Sequence, residues 1–164
     1  MTRTVVIEQL TREAYAPFGQ VIETAGAHHY PINGGMTERY HDLAKIELGG
    51  EEPRPLISIA RGKHYPLPLT LKMMERHPLG SQAFYPLSPR PFLSIVAPDE
   101  GGRPGTPRAF RCASRQGINM AMNTWHAVLT PLGAESDFLM IDRGGAGNNL
   151  EEFFFDDPWL VVEG

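Results

Sequence analysis

The chain has 164 residues, a hydrophobic fraction of 41% and a formal net charge of −4 from 15 basic and 19 acidic residues. This length suits one domain with a buried core, and we predict a single domain over residues 1–164. The mild acidity argues against a nucleic-acid-binding protein, and no apolar run approaches the ~20 residues that span a bilayer.

The predicted elements are short strands separated by turns, because the chain holds 17 Gly and 15 Pro residues that long helices exclude. One helix is predicted from Thr11, its N-cap, to Ala16, before Pro17. Residues 98–107, rich in Gly and Pro, predict a long loop. Runs of apolar and β-branched residues predict strands at residues 5–7, 20–22, 56–60, 92–96, 125–129 and 138–141.

This succession of short strands favours an all-β fold, an antiparallel β-barrel or sandwich with minor helix. Near the end of the chain, the three phenylalanines at 153–155 fit either a core strand or an apolar edge that pairs with a second copy. The single cysteine, Cys112, cannot form an internal disulfide, and we expect it to be a small buried hydrophobe. The apolar stretch after Met1 is too short for a secretory signal, so we expect a cytoplasmic protein.

Segment 75–84 carries the first candidate site residues. Alternate residues of a strand share a face, so Glu75 and His77 are expected to point the same way. A Pro-x-Gly turn follows, after which Gln82 can return to the same pocket. A carboxylate, an imidazole and an amide together form a catalytic, substrate-binding or metal-binding group, although each residue alone is more often at the surface or in a satisfied core.

His126 begins a predicted buried strand next to Trp125. It is either a core histidine bonded to the backbone or a functional group. An imidazole titrates near pH ~6.5, which suits acid–base work or, in the neutral form, metal binding. We predict that His77 and His126 share one pocket.

The loop from Asn33 to Asp42 is a candidate for binding a carboxylate. Its two glycines precede Arg39, His41 and Asp42. A guanidinium holds a carboxylate through two parallel hydrogen bonds, which makes Arg39 the candidate anchor. His41 and Asp42 fit a structural turn equally well.

Arg143 is a second candidate for the carboxylate. It belongs to the glycine-rich stretch 142–147, which lacks the G-x-G-x-x-G spacing and following helix of a dinucleotide site. The same stretch fits a turn at Gly144 and Gly145, with Arg143 solvated or paired with Asp142.

Four blocks of the sequence resemble the ureidoglycolate lyase family, in the family's order and over nearly the whole chain. The block at 76–84 is the most specific. The resemblance implies a cupin-like double-stranded β-helix, a homodimer, and an enzyme that splits (S)-ureidoglycolate into glyoxylate and urea in allantoin (purine) degradation. The blocks are YHDLA at 40–44, RHPLGSQAF at 76–84, NTWH at 123–126 and DFLMIDRGG at 137–145.

The resemblance also implies a metal site. Cupins often bind a metal through H-x-H-x(3,4)-E and a later His. Here Glu75 stands at the first His position, His77 at the second, Gln82 near the Glu, and His126 at the later His. The implied divalent ion, nickel in this family, is then held by mixed nitrogen and oxygen ligands.

The implied substrate carries a hydroxyl, a carboxylate and a urea nitrogen on one carbon. Its collapse needs a base for the hydroxyl proton and an acid for the departing nitrogen, but no Ser or Cys nucleophile. The candidates are His126 or His77 as base, Glu75 or the other histidine as acid, and Gln82 to orient the urea or hydroxyl. The alternatives are an amidohydrolase that releases ammonia from ureidoglycolate and a non-catalytic cupin that binds a small acid.

Overall fold

The chain folds almost entirely into strands. A computed structural model describes residues 2–164, with 52% strand and 4% helix, which confirms the all-β prediction with minor helix. The first seven strands are β1 (Arg3–Gln9), β2 (Gly19–Ile22), β3 (His29–Ile32), β4 (Thr37–Tyr40), β5 (Arg54–Gly62), β6 (Leu69–Arg76) and β7 (Gln82–Pro86). The other seven are β8 (Phe92–Ala97), β9 (Arg108–Cys112), β10 (Gly117–Met120), β11 (Trp125–His126), β12 (Thr130–Pro131), β13 (Ser136–Gly144) and β14 (Glu151–Val162).

The helix α1 (Arg12–Tyr15) begins at the N-cap that the sequence predicts. The Thr11 hydroxyl accepts a hydrogen bond from the Ala14 backbone N–H at 3.1 Å, which satisfies one free donor of the first turn. A short 3₁₀ turn, Asn33–Gly35, is also present. Across residues 2–164, no helix is long and apolar enough to cross a membrane.

Six strands close into a barrel, in the order β11, β6, β14, β1, β9, β8 and back to β11. The barrel prediction is therefore confirmed, although β1 runs parallel to both of its neighbours, β14 and β9. Closure removes the free strand edges that other chains could pair with. Apolar side chains from all six strands fill the interior, among them Val5, Leu71, Leu93, Ala109, Trp125 and Val161.

A five-stranded sheet packs against the outside of one wall of the barrel, in the order β2, β10, β7, β13, β5. A second core lies between them and joins Phe84 and Phe138 of this sheet to Phe92 and Phe110 of the barrel wall. The wall strand β8 is consequently buried on both faces. Leu93 points into the barrel, whereas Phe92 points toward the five-stranded sheet.

The remaining strands β3 and β4 form a separate two-stranded hairpin, with His29 opposite Tyr40. Residues 98–107 form the predicted loop, which joins β8 to β9, and Cys112 is fully buried as predicted. The strand predicted at 125–129 is shorter than expected, because β11 ends at His126. Of the three phenylalanines near the end, Phe153 and Phe155 pack into the barrel core and Phe154 is exposed.

Candidate active site

Glu75, His77 and His126, which we call the triad, meet where β6 and β11 pair. Glu75 lies directly opposite His126 in the antiparallel register, and His77 follows the last residue of β6. His126 also lies opposite Val96, a residue of the core between the barrel and the five-stranded sheet. Because opposite residues share a face, the triad faces the space between these two sheets.

The triad is compact. The imidazole rings of His77 and His126 have centroids 5.0 Å apart. The Glu75 Oε1 atom lies 3.9 Å from His77 Nε2. One ligand atom from each of the three residues lies within 4.8 Å of the others, a spacing that allows all three atoms to contact one ion.

Both imidazoles are oriented by backbone carbonyls. His77 Nδ1 is 2.8 Å from the Asn149 carbonyl oxygen, and His126 Nδ1 is 2.9 Å from that of Ala127. Since a carbonyl only accepts, each Nδ1 carries the proton and each neutral ring leaves Nε2 with a free lone pair. Both Nε2 atoms are buried, and neither has a hydrogen-bond partner among residues 2–164.

Burial shifts the protonation equilibria of His126 and Glu75. Desolvation lowers the pKa of His126 to about 4, with a further lowering by His77. Burial also raises the pKa of the Glu75 carboxyl, as does the neighbouring Glu152, although His77 opposes the shift. His126 is therefore neutral near pH 7, which is the form that coordinates a metal.

The residue set fits a divalent metal ion. Two buried imidazole nitrogens without partners and one carboxylate oxygen converge, and each imidazole donates its other N–H to a carbonyl, as metal-bound histidines usually do. An unpaired buried acceptor otherwise costs ~1–3 kcal/mol. The triad can thus hold a metal ion of the borderline type that accepts nitrogen and oxygen ligands.

Gln82 and Asp142 bring a second polar pair to the same space. They are cross-strand neighbours on β7 and β13, next to the paired residues Ala83 and Ile141. Gln82 is buried. Burial raises the pKa of Asp142, against the lowering effects of a hydrogen bond from Gln82 and of His77, so Asp142 lies within electrostatic reach of the triad.

Sequence reasoning missed the contributions of Asp142 and Asn149. The signal for Asp142 was present, since it alternates with Phe138 and Met140 on the face of β13 that is packed in the core between the sheets. Asn149 gave no signal, because it lies 72 positions after His77 in the sequence. Its side-chain oxygen also accepts a hydrogen bond from the Leu79 N–H at 2.7 Å, which holds the turn after His77.

Arg143 is occupied by the backbone. Its guanidinium is buried and donates to the carbonyl oxygens of Gly49 at 2.7 Å, Ala146 at 2.8 Å and Glu51 at 3.2 Å. Arg143 is therefore neither solvated nor paired with Asp142, and Gly144 belongs to β13 rather than to a turn. The side chain holds two loops together through Nε and Nη2, and binding of a carboxylate by its Nη1 group stays a prediction.

The other predicted substrate-binding residues belong to the hairpin and its ends. Asn33 lies at the tip with a positive φ of 54° and donates to Thr37. Arg39 is exposed on β4, and His41 Nδ1 lies 3.4 Å from the Tyr30 hydroxyl. Asp42 follows with φ 53°. Within the described part of the chain, none of their hydrogen bonds joins them to the triad.

Comparison with known proteins gives a consistent result over the whole chain. Residues 2–162 match the family described as ureidoglycolate lyase. A ureidoglycolate lyase from Chelativorans sp. is 63% identical, covering 97% of this chain and 96% of the relative. A ureidoglycolate lyase from Mesorhizobium japonicum is 61% identical over 98% of each chain. The protein named ureidoglycolate lyase 2 from Rhizobium meliloti is 57% identical over 94% of this chain and 95% of its own.

Proposed function

The chain belongs to the ureidoglycolate lyase family and is an enzyme, and we propose that it cleaves (S)-ureidoglycolate into glyoxylate and urea at the triad. One observation carries the assignment of the site. Two imidazoles present buried Nε2 atoms without hydrogen-bond partners beside a carboxylate, in the space between the sheets. Allantoin nitrogen catabolism is the process that this reaction serves.

The reaction needs a polar pocket that is shielded from water, and it does not need a nucleophilic side chain. Ureidoglycolate is a carbinolamine, so removal of its hydroxyl proton lets the C–N bond break and the C=O bond of glyoxylate form. The departing urea nitrogen must take up a proton at the same time. Positioned proton donors and acceptors contribute ~100- to 10,000-fold to such a step, and Cys112 is buried in the core, so it is unsuited to attack.

The triad is the proposed holder of a divalent cation, and nickel follows from the family resemblance. His77 and His126 would supply Nε2 and Glu75 a carboxylate oxygen. When bound there, such an ion would bind the substrate's hydroxyl and carboxylate oxygens and lower the pKa of that hydroxyl. Gln82 stays a proposed fourth ligand, and its amide also hydrogen-bonds Asp142.

Asp142 and Gln82 are the proposed groups for proton transfer and orientation. Burial favours the protonated Asp142 carboxyl more than water does, so this group can exchange a proton with the substrate. The Gln82 amide has one acceptor and two donors, which match the urea group. If the triad acts without an ion, His126 is the base, since its lowered pKa keeps it unprotonated.

The proposal also covers the group that binds the substrate carboxylate, the quaternary state and the cellular location. Arg39 and Arg143 are the proposed carboxylate anchors, beside Asn33, His41 and Asp42. Arg39 is the exposed one of the two, whereas Nε and Nη2 of Arg143 already bind backbone carbonyls. A homodimer and a cytoplasmic location are also proposed, the first from the family resemblance and the second from the single buried cysteine.

Turnover of racemic ureidoglycolate tests this function. The expected products are urea and glyoxylate in equal amounts, with half of the substrate left unreacted if one enantiomer is used. Ammonia and carbon dioxide in place of urea would establish the amidohydrolase alternative. Tight binding without turnover would establish a non-catalytic cupin.

Variants of the triad test the site. His77→Ala and His126→Ala are each expected to lower kcat/KM by ~100-fold or more. His64→Ala is the matched control, because His64 is exposed in the loop between β5 and β6. Equal activity of all three variants would place the chemistry elsewhere in the molecule.

A further inference from the structure

The strands that carry the triad have a second polar group on their opposite face. Arg76 lies between Glu75 and His77, and Trp125 directly precedes His126. Because neighbouring residues of a strand point to opposite faces, Arg76 and Trp125 lie on the barrel side of the wall. Each triad residue is thus the immediate chain neighbour of one of these two.

Asp99 joins Arg76 to Trp125. One carboxylate oxygen, Asp99 Oδ1, accepts from Arg76 Nη1 at 2.9 Å and from Trp125 Nε1 at 2.9 Å. The other oxygen accepts from the Gly102 backbone N–H at 3.3 Å within the loop 98–107. Asp99 therefore connects β6 to β11 through side chains. The backbone connection there consists of one residue pair, Glu75 and His126, and one bond from the Asn123 N–H to the His77 carbonyl oxygen at 2.9 Å.

Arg76 adds two more contacts to this connection. Its guanidinium carbon lies 4.4 Å from the centroid of the Trp125 ring, a cation–π arrangement. Its Nε donates to Glu151 of β14 at 2.7 Å. The Arg76 side chain is only 13% exposed, so its position is fixed by packing as well as by charge.

We propose that Asp99 is a positioning residue for the triad, acting through Arg76 and Trp125. By fixing the spacing of β6 and β11, Asp99 holds the donor atoms of Glu75, His77 and His126 at the mutual distances that one ion requires. Groups that hydrogen-bond a metal ligand typically change metal affinity or activity by ~10- to 100-fold when removed, and we expect an effect of that order from Asp99, which acts on the ligands through their chain neighbours. This inference rests on the proposed site, because it concerns the geometry of the same residues.

Cobalt(II) titration of the purified full chain tests the proposal, with visible absorption of the bound ion as the readout. Asp99→Ala is expected to weaken Co²⁺ binding by ~10- to 100-fold, to change the absorption spectrum and to lower kcat with little change in KM. Asp99→Asn keeps an oxygen acceptor for both donors and is expected to stay close to wild type. Trp125→Phe removes one donor while keeping the ring, and is expected to be intermediate.

Asp137→Ala is the matched control, because Asp137 accepts from Arg61 at 2.8 and 3.0 Å in a comparable pair on β13 and β5. It is expected to leave Co²⁺ affinity unchanged. Wild-type affinity, spectrum and kcat in Asp99→Ala would overturn the proposal, as would an equal loss in Asp137→Ala. Failure of the proposed function would be seen separately, because the wild-type protein would then form no urea. That result does not depend on the Asp99 variants.

Discussion

At the residue scale, two backbone carbonyls determine what the histidines of the site can do. The Asn149 and Ala127 carbonyl oxygens accept hydrogen bonds from Nδ1–H of His77 and His126, so that the Nε2 atom of each ring is left to face Glu75. Burial also disfavours the imidazolium form of His126.

The first prediction is a pH dependence of stability that comes from His126. Its pKa is 6.5 when solvated and about 4 in the folded chain. Between these values the unfolded state binds more protons, so the free energy of unfolding falls as pH is lowered from about 6.5 to 4. For the metal-free protein the loss is expected to approach about 3 kcal/mol, at ~1.4 kcal/mol per unit of pKa.

Urea unfolding at several pH values, with chelator present, measures this loss. His126→Asn cannot titrate in this range and is the control, so its stability should change less between pH 7 and 4. Parallel curves for the two proteins would show that His126 makes no special contribution.

The second prediction concerns Arg143, which the sequence offers as a substrate anchor. Arg143→Ala removes a buried guanidinium and leaves three carbonyl oxygens of Gly49, Glu51 and Ala146 without that donor. The expected cost is about 3 kcal/mol of unfolding free energy, since hydrogen bonds to charged groups are each worth ~1.5–3 kcal/mol. Thermal unfolding should show a lower Tm for Arg143→Ala. A raised KM with an unchanged Tm would show instead that Arg143 binds the substrate carboxylate.

The alternation of residues along one strand is enough to predict part of the site from the sequence. The sequence does not predict the contacts between segments that lie far apart along the chain. Glu75 and His77 share a face because they are two residues apart, and that pattern is visible in any strand. The place of Asp142 depends on the pairing of β13 with β7, and the role of Arg143 depends on the loops at Gly49 and Ala146. Neither pairing has a local signature.

At the element scale, the strands and the one helix follow from local chemistry. Thr11 caps α1. The apolar runs form strands because their alternating side chains pack into a core on one or both faces of the strand. The strand predicted at 125–129 ends early at His126. The Nδ1–H of His126 donates a hydrogen bond to the Ala127 carbonyl oxygen. In a longer strand this carbonyl oxygen would accept from the backbone of the neighbouring strand instead.

The third prediction concerns the turn between β6 and β7. A Cβ atom on Gly80 would lie 2.5 Å from the Cβ of Arg143, closer than two carbons can approach. Gly80→Ala must therefore move the turn that joins His77 to Gln82. We expect a loss of ~1–3 kcal/mol of stability and a lower kcat/KM, because both ends of the turn belong to the site.

Gly49→Ala is the matched control for this turn. Its added Cβ would meet the flexible end of Met122 at 3.2 Å, which can move at small cost, and the Leu79 carbonyl oxygen at 3.4 Å, which is an ordinary contact distance. When both variants are measured under the same conditions, Gly80→Ala is expected to have lower stability and a lower kcat/KM than Gly49→Ala. Equal values for the two variants would mean that the turn tolerates displacement without disturbing the site.

At the scale of the whole molecule, the barrel and the five-stranded sheet divide the interior into two parts that share one wall. The closed barrel is filled with side chains, whereas the space between the sheets ends at the triad. The sequence gives the strand content but not this division, because β1 joins β14 and β9 over nearly the full length of the chain. Parallel pairing over such distances leaves no mark on local residue patterns.

The outer face of the five-stranded sheet is the candidate surface for the proposed homodimer. Ile57 and Ile59 of the edge strand β5 are 76% and 58% exposed. They lie opposite Ile141 and Leu139 of β13, so the four side chains form one apolar patch. A two-fold axis can pair such a patch with its own copy, which covers both the apolar surface and the open edge.

The fourth prediction is that this face holds the dimer together. Sedimentation equilibrium at micromolar concentration is expected to give a dimer for the wild type and a monomer for the double variant Ile57→Lys, Ile59→Lys, because four buried charges per dimer cannot be paired. Phe154→Lys is the control, since Phe154 is 66% exposed on the barrel strand β14. A monomeric wild type would refute the dimer, and dissociation by Phe154→Lys alone would move the interface to β14.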